Sequence, residues 1–169
     1  MAENDDFFEP NIDPKQLFDD KKFNTIIVSK DGLSKKDSEM ADFLDIVIST
    51  ESTREEKDEA LKVIKEKDAR KLLIDSILKA KKNIHKAALI AACWESGLDF
   101  STHYLFFAEL VTSADYACAM EAYTVIENME SSPAPEELAK ALRVLEDAKD
   151  KNQLVMDAID LTRQKLNAE

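Results

Sequence analysis

Only two glycines, Gly32 and Gly97, occur in this chain of 169 residues, together with four prolines. Folds that need many tight turns therefore do not fit the sequence, and neither do nucleotide-binding loops that need several closely spaced glycines. Apolar residues make up 44% and charged residues 34%, so the chain can fill a core and still cover it with charge. This composition favours one domain built of long regular elements joined by short loops.

Apolar residues recur at intervals of three and four from about residue 34 onward, which is the spacing of amphipathic helices. Ser34 is expected to cap the first helix, and two overlapping capping boxes, which begin at Ser52 and Thr53, precede the second. Asp115 is expected to cap a later helix, and Gly97 to end one in the left-handed conformation. The pattern predicts an all-α fold of about eight helices, since no segment after residue 34 requires a strand.

The first 33 residues differ from the rest of the chain because they lack helical periodicity and mix acidic with aromatic side chains. The sequence therefore divides into an irregular arm, residues 1–33, and a helical domain, residues 34–169. We expect the arm to pack on the helical body, and a recognition segment for another molecule is the alternative. The side chains expected to cover an exposed end of the core are Phe7, Phe8, Leu17 and Phe18.

Residues 87–94 form a run of consecutive apolar residues, Ala-Ala-Leu-Ile-Ala-Ala-Cys-Trp. In a helix such a run places apolar side chains on every side, so we expect neighbouring helices to cover this one almost all round. Its alanines leave room for those neighbours to approach closely. The segment is therefore predicted to form the central helix of the fold.

Two segments of the chain superimpose when the sequence is displaced by 32 residues, so that Asn83 falls on Asp115 and Ala87 on Ala119. The pattern of each segment predicts a helix, a short polar turn, an alanine-rich helix and then residues that end this second helix. This internal repetition predicts stacked helical hairpins.

Residues 83–88, Asn-Ile-His-Lys-Ala-Ala, resemble the start of the second helix in HEAT-like repeats, where a turn Asp or Asn precedes an alanine-rich helix. Residues 115–120 resemble a second copy of this motif. The resemblance covers residues 68–130 well and extends weakly to residues 37–166. It implies an armadillo-type α-solenoid of about four stacked antiparallel helical hairpins. Members of this group most often hold other proteins on a curved face, so the resemblance implies a non-enzymatic scaffold or adaptor.

The charge of the chain limits its partners. Lys and Arg number 23 and Asp and Glu 35, and the formal net charge of −12 argues against a nucleic-acid binder, because phosphate contacts need a basic face. One basic stretch, Lys62–Lys86, is either a solvated surface or a docking patch for an acidic partner or for the chain's own acidic arm. Lysines at a helix N-terminus suit an acidic group. The residues predicted to bind a protein or peptide partner are Lys82, His85 and Lys86.

Cysteine and histidine are too few and too scattered to form a recognisable catalytic or metal motif. Cys93 and Cys118 lie in apolar stretches, and His85 and His103 belong to different predicted helices. We therefore predict no enzyme activity, no catalytic residue, no metal site and no cofactor. The alternative function is a helical-bundle enzyme or a small-molecule-binding protein with a site near His85, Cys93 and His103.

The sequence also predicts the cellular location of the protein. No basic-then-apolar leader follows Met1, and the longest stretch without a charged residue, Phe100–Ala108, is about half of what a membrane span needs. Two cysteines are too few for a disulfide framework, which favours a reducing compartment. We expect a cytoplasmic protein that binds neither membranes nor nucleic acid. The sequence does not determine the oligomeric state, and it allows a homodimer formed through an exposed solenoid end.

Overall fold

The computed structural model describes Val28, residues 30–113 and residues 115–168. Within these residues the chain forms eight α-helices, one 3₁₀ turn and no strand, which confirms the all-α prediction. Most of the predicted arm, residues 1–33, lies outside the described residues, and so does the expected packing of Phe7, Phe8, Leu17 and Phe18.

Short loops join the helices, and Pro135 takes the first position of the seventh helix. None of the helices in the described part of the chain is both long and apolar enough to cross a membrane. The helices are α1 Lys35–Ile48, α2 Arg54–Glu66, α3 Arg70–Lys79, α4 Asn83–Glu95, α5 Tyr104–Ser113, α6 Tyr116–Glu127, α7 Pro135–Glu146 and α8 Gln153–Asn167, and the 3₁₀ turn Ser101–His103 directly precedes α5.

Local capping signals set several of the helix ends, as predicted. The Ser34 side chain accepts the N–H of the third helical residue of α1, and Asp115 does the same for α6. Of the two overlapping capping boxes, the structure uses the one formed by Thr53 and Glu56. Gly97 follows α4 with φ of +63°, the left-handed conformation predicted for it.

The helices pack in consecutive pairs, α1 with α2, α3 with α4, α5 with α6 and α7 with α8. Between the pairs, α1 contacts α3 and α4, α4 contacts α6, α5 contacts α7 and α8, and α6 contacts α8. Helices α4, α5 and α6 therefore lie between the first and the last helix pairs, and the core runs through them.

Aromatic side chains fill the core around α5. Phe100, Tyr104 and Phe107 are among the largest fully buried side chains of the described chain. The rings of Phe100 and Phe107 meet edge to face with their centroids 5.7 Å apart, and Phe106 meets Phe107 in the same way at 5.2 Å. Phe107 thus lies between two aromatic neighbours.

The prediction that neighbours cover α4 almost all round is wrong for one side of the helix. Among the described helices, α1, α3 and α6 make extensive contact with α4. Trp94 of α4 is nevertheless 38% exposed, although its indole N–H donates to Glu121 of α6. Ala87, Ala88 and Ala91 are half-buried. The buried residues of α4 are Leu89, Ile90, Ala92 and Cys93.

A buried hydrogen bond joins α5 to α8. Tyr104 Oη lies 2.9 Å from Thr162 Oγ1, and neither residue is exposed. The Thr162 hydroxyl donates its only hydrogen to the carbonyl oxygen of Ala158 at 2.7 Å, so Tyr104 is the donor to Thr162. Burial raises the pKa of Tyr104, which keeps the phenol protonated for this role.

We expect Thr162→Val to destabilise the protein more than Tyr104→Phe. Valine leaves the buried Tyr104 hydroxyl without an acceptor, which lowers the free energy of unfolding by about 1–3 kcal/mol. Phenylalanine leaves Thr162 bonded to Ala158 and costs about 0.5–1.5 kcal/mol. Urea denaturation of both variants measures the two losses. A larger loss for Tyr104→Phe would contradict the direction assigned to this hydrogen bond.

Candidate partner-binding surface

Helices α4 and α6 lie side by side and run in the same direction. At their amino-terminal ends, Cys118 Sγ lies 3.5 Å from the carbonyl oxygen of Asn83. Further along both helices, the Trp94 indole N–H donates to Glu121 Oε2 at 2.9 Å. These two contacts place the turn that precedes α4 beside the turn that precedes α6.

The two turns carry an exposed patch of apolar and basic side chains, which we call the turn edge. Leu78 and Ile84 flank the turn between α3 and α4 and are 65% and 66% exposed, and Tyr116 at the start of α6 is 73% exposed. Large apolar side chains that are exposed on adjoining turns are typical of a contact surface. The turn edge consists of Leu78, Lys79, Lys81, Lys82, Ile84 and Tyr116.

The three residues predicted to bind a partner lie together at the start of α4. Lys82 occupies the N-cap position and is exposed, and His85 and Lys86 are half-buried in the first turn. Among the described residues, the N-cap Lys82 makes no side-chain cap to α4, whereas the N-cap Asp115 caps α6. Uncapped N–H groups at a helix start are suited to an anionic group of a ligand.

Asp115 and Cys118 hold the starts of α4 and α6 together. The backbone N–H of Cys118 donates to Asp115, which lowers the pKa of that carboxyl, and the side chain of Asn83 also bonds to it. Burial and the hydrogen bond to Asp115 raise the pKa of Cys118 to about 11. The thiol is therefore protonated at neutral pH and serves as a packing contact.

Basic side chains dominate the turn edge, although the whole chain carries a net charge of −12. The acidic side chains closest to it in sequence are Asp75, which is half-buried on α3, and Asp115. A negatively charged group of a partner would therefore meet a locally positive surface. The lysines at and beside the turn edge are Lys79, Lys81, Lys82 and Lys86.

Further apolar residues are exposed on α4, α6 and α8, the second helices of the contacting pairs, and we call Trp94, Met120 and Met156 the second-helix surface. Trp94, Met120 and Met156 are 38%, 38% and 40% exposed. Sequence analysis did not identify Trp94 and Met120 because both fit the apolar periodicity of their helices, whereas Met156 lies outside the apolar positions of α8. Partial burial and the charge of Glu121 raise the pKa of Glu95 near the carboxyl-terminal end of α4. Glu95 and Glu121 thus act on each other near the carboxyl-terminal end of α4, whereas lysines lie at its start.

The residues of the alternative site, His85, Cys93 and His103, lie in three different places. Cys93 is fully buried, which raises its pKa, and lines a cavity of about 220 Å³ between the carboxyl-terminal ends of α4 and α6. His103 lines a separate open cleft of about 450 Å³ beside α3. His85 lines neither and lies about 12 Å along α4 from Cys93. The structure therefore does not bring the three side chains together.

Within the residues that the structure describes, no group of three His, Cys, Asp or Glu side chains is arranged to hold a metal ion. Comparisons with protein-family models, with curated proteins and with solved structures find no match to this chain. Its function must therefore be inferred from its own residues and their arrangement.

Proposed function

We propose that this chain is a non-enzymatic scaffold or adaptor that binds a protein or peptide on the second-helix surface and the adjoining turn edge. Lys82, His85 and Lys86 are the proposed contact residues at the basic end. The observation that carries the proposal is the exposure of Leu78, Ile84 and Tyr116 beside four lysines. An acidic segment with aromatic or aliphatic side chains matches both properties, and the proposed setting is the cytoplasm.

The order of helix contacts supports a HEAT-like α-solenoid of about four stacked hairpins as the architecture of this scaffold. In a solenoid each hairpin packs mainly on the hairpins next to it in sequence. Helix α4 contacts α6 and α6 contacts α8, as stacked second helices would, and α5 contacts α7, as stacked first helices would. Stacked second helices would present one continuous surface, and the exposed Trp94, Met120 and Met156 belong to the three helices that would form it.

The turn edge offers two kinds of contact to an acidic segment. Burying an exposed side chain such as Leu78 or Ile84 against a partner contributes about 1.5–3 kcal/mol for each side chain. The lysines and the uncapped N–H groups of α4 supply electrostatic attraction and fix the orientation of the bound segment. Because part of the attraction is electrostatic, binding weakens as salt concentration rises.

Titration with peptides of defined composition tests this function. Three fluorescein-labelled peptides of equal length are compared by fluorescence anisotropy: acidic with Phe, acidic without Phe, and basic with Phe. We expect the full chain to bind the acidic peptide with Phe most tightly. We also expect Lys82→Glu combined with Lys86→Glu to weaken this binding about tenfold or more, because reversed charge turns attraction into repulsion.

A matched control carries the same change of charge elsewhere. Lys62 and Lys71 are exposed on α2 and α3, away from the turn edge, so Lys62→Glu combined with Lys71→Glu should retain most of the affinity. Far-UV circular dichroism verifies that both double variants keep their helices. Tightest binding of the basic peptide, or equal weakening in both double variants, would contradict the proposed surface.

A further inference from the structure

We propose that the cavity between the carboxyl-terminal ends of α4 and α6 binds a small organic cation, a primary ammonium group on a short apolar stem. The cavity has a volume of about 220 Å³ and is lined by residues of both helices and of the loops that follow them. Of the three residues of the alternative site, Cys93 lines this cavity, whereas His85 and His103 do not. The inference does not depend on partner binding at the turn edge.

The inner part of the cavity is apolar. Cys93, Phe100 and Val125 line it, and each is buried in the core. Because burial raises the pKa of Cys93, its thiol stays protonated and adds no charge. This part of the cavity therefore suits a hydrocarbon stem and disfavours a second charged group.

Trp94 supplies an aromatic wall to the cavity. It is the one tryptophan of the sequence, and it is 38% exposed. Its indole N–H donates to Glu121 Oε2 at 2.9 Å, which holds the side chain in place and brings a carboxylate beside it. Indole is the aromatic side chain that attracts cations most strongly, so Trp94 favours a cation over a neutral group of the same shape.

Two carboxylates lie at the exposed rim of the cavity, those of Asp99 and Glu130. Asp99 accepts the backbone N–H of Ser101 at 2.9 Å and the Ser101 hydroxyl at 3.1 Å. A hydrogen bond from Ser131 also joins Asp99 to the loop that follows α6. The Ser101 backbone bond above all lowers the pKa of Asp99, so a preorganised and ionised carboxylate faces the ligand.

The ends of α4 and α6 add partial negative charge to the same place. The carboxyl-terminal end of a helix carries the negative pole of its dipole and favours a cation nearby. Neither helix has a Lys, Arg or His in its last turn to offset this charge. Both helix ends therefore reinforce the attraction of the two carboxylates for a cation.

Two cations of the chain lie near the cavity but are bound outside it. A Cβ atom on Gly97 would lie 3.1 Å from Lys65 Nζ, so this ammonium lies against the end of α4. Arg70 donates to the backbone oxygen of Asp99 at 3.1 Å and pairs with Asp68 at 2.7 Å. Of the described residues that line the cavity, none is Lys, Arg or His.

The lining and the volume together specify the ligand. Ionised carboxylates accept hydrogen bonds and cannot donate them, so the cation that matches them carries N–H groups, as a primary ammonium does. A volume of about 220 Å³ equals that of about seven water molecules at about 30 Å³ each. A stem of about four to six carbons fills this space and places the ammonium at the rim.

Titration of the full chain with three probes of equal length tests the proposal, and the emission of Trp94 reports binding. The probes are n-pentylammonium, n-pentanol and pentanoate, at constant ionic strength. We expect n-pentylammonium to change the emission saturably, with a dissociation constant on the order of 1 mM. Because the lining favours a cation, n-pentanol should bind at least about tenfold more weakly, and pentanoate more weakly still.

Asp99→Asn combined with Glu130→Gln keeps the shape of the rim and removes both charges, so it should weaken n-pentylammonium binding about tenfold or more. The matched control is Glu39→Gln combined with Glu136→Gln, which makes the same change of charge at exposed positions on α1 and α7 and should retain the affinity. Far-UV circular dichroism verifies that both double variants are folded. Glu130→Gln alone leaves the bonds of Asp99 intact and should weaken binding about threefold.

Three results would overturn the cation site. They are the absence of a saturable change with n-pentylammonium, equal affinity for n-pentylammonium and n-pentanol, and equal affinities in the two double variants. Each of these results leaves the proposed partner-binding function standing, because Lys82 and Lys86 lie at the opposite end of α4. Failure of the acidic peptide to bind would, in turn, leave the cation site standing.

Discussion

Replacing Ala122 with arginine is expected to abolish the cooperative thermal unfolding of the protein. Ala122 has no exposed surface and lies on α6, which contacts α4, α5 and α8. Arginine at this position must either bury an unpaired charge, which costs several kcal/mol, or force the helices apart. The free energy of unfolding therefore falls by about 5 kcal/mol or more, which is comparable to the whole stability of a domain of this size. Circular dichroism during heating measures the loss.

Ala117 provides the matched control because it lies on the same helix and is exposed. Ala117→Arg changes the charge and size of the side chain in the same way but leaves the packing of α6 intact. We expect its stability to stay within about 0.5 kcal/mol of the wild type. A cooperative transition near the wild-type melting temperature in Ala122→Arg would show that α6 is not packed as described, and would remove the support for the second-helix surface.

Replacing Phe107 with alanine is expected to lower the free energy of unfolding by about 3–5 kcal/mol. Phe107 is fully buried, and its ring meets Phe100 at 5.7 Å and Phe106 at 5.2 Å. Alanine removes this buried apolar surface and leaves a cavity that the surrounding helices fill only in part. Guanidinium denaturation with linear extrapolation measures the change.

The adjacent Phe106 serves as the control for Phe107 because it has the same side chain on the same helix but is only partly buried. Phe106→Ala removes less buried surface and should cost less than half as much. If the two substitutions had equal effects, the assignment of the Phe107 face of α5 to the core would be wrong. The comparison does not depend on the proposed function and tests the fold alone.

Local features of the sequence predicted most of the secondary structure. The caps at Ser34, Thr53 and Asp115 and the left-handed Gly97 are where the sequence placed them, because each depends on residues within a few positions of the helix end. The number of helices could be predicted for the same reason, since apolar periodicity is a property of each segment by itself.

Exposure on α4 could not be predicted from the sequence. The apolar run 87–94 indicates a buried helix whichever side its neighbours occupy, and only the positions of α1, α3 and α6 decide that Trp94 is exposed. The same is true of the candidate site. Lys82, His85 and Lys86 are neighbours in sequence and were found as one cluster, whereas the exposed Leu78 and Tyr116 join them only through the turns of the fold.

The sequence by itself determined that this chain forms helices, where several of them begin and end, and that its one basic stretch includes the start of α4. These properties follow from periodicity, caps and charge, which act over a few residues. The tertiary structure alone decided that α4 and α6 run side by side in the same direction and that His85, Cys93 and His103 stay apart. Both depend on which helix faces become neighbours, and that choice is made by the packing of the whole core.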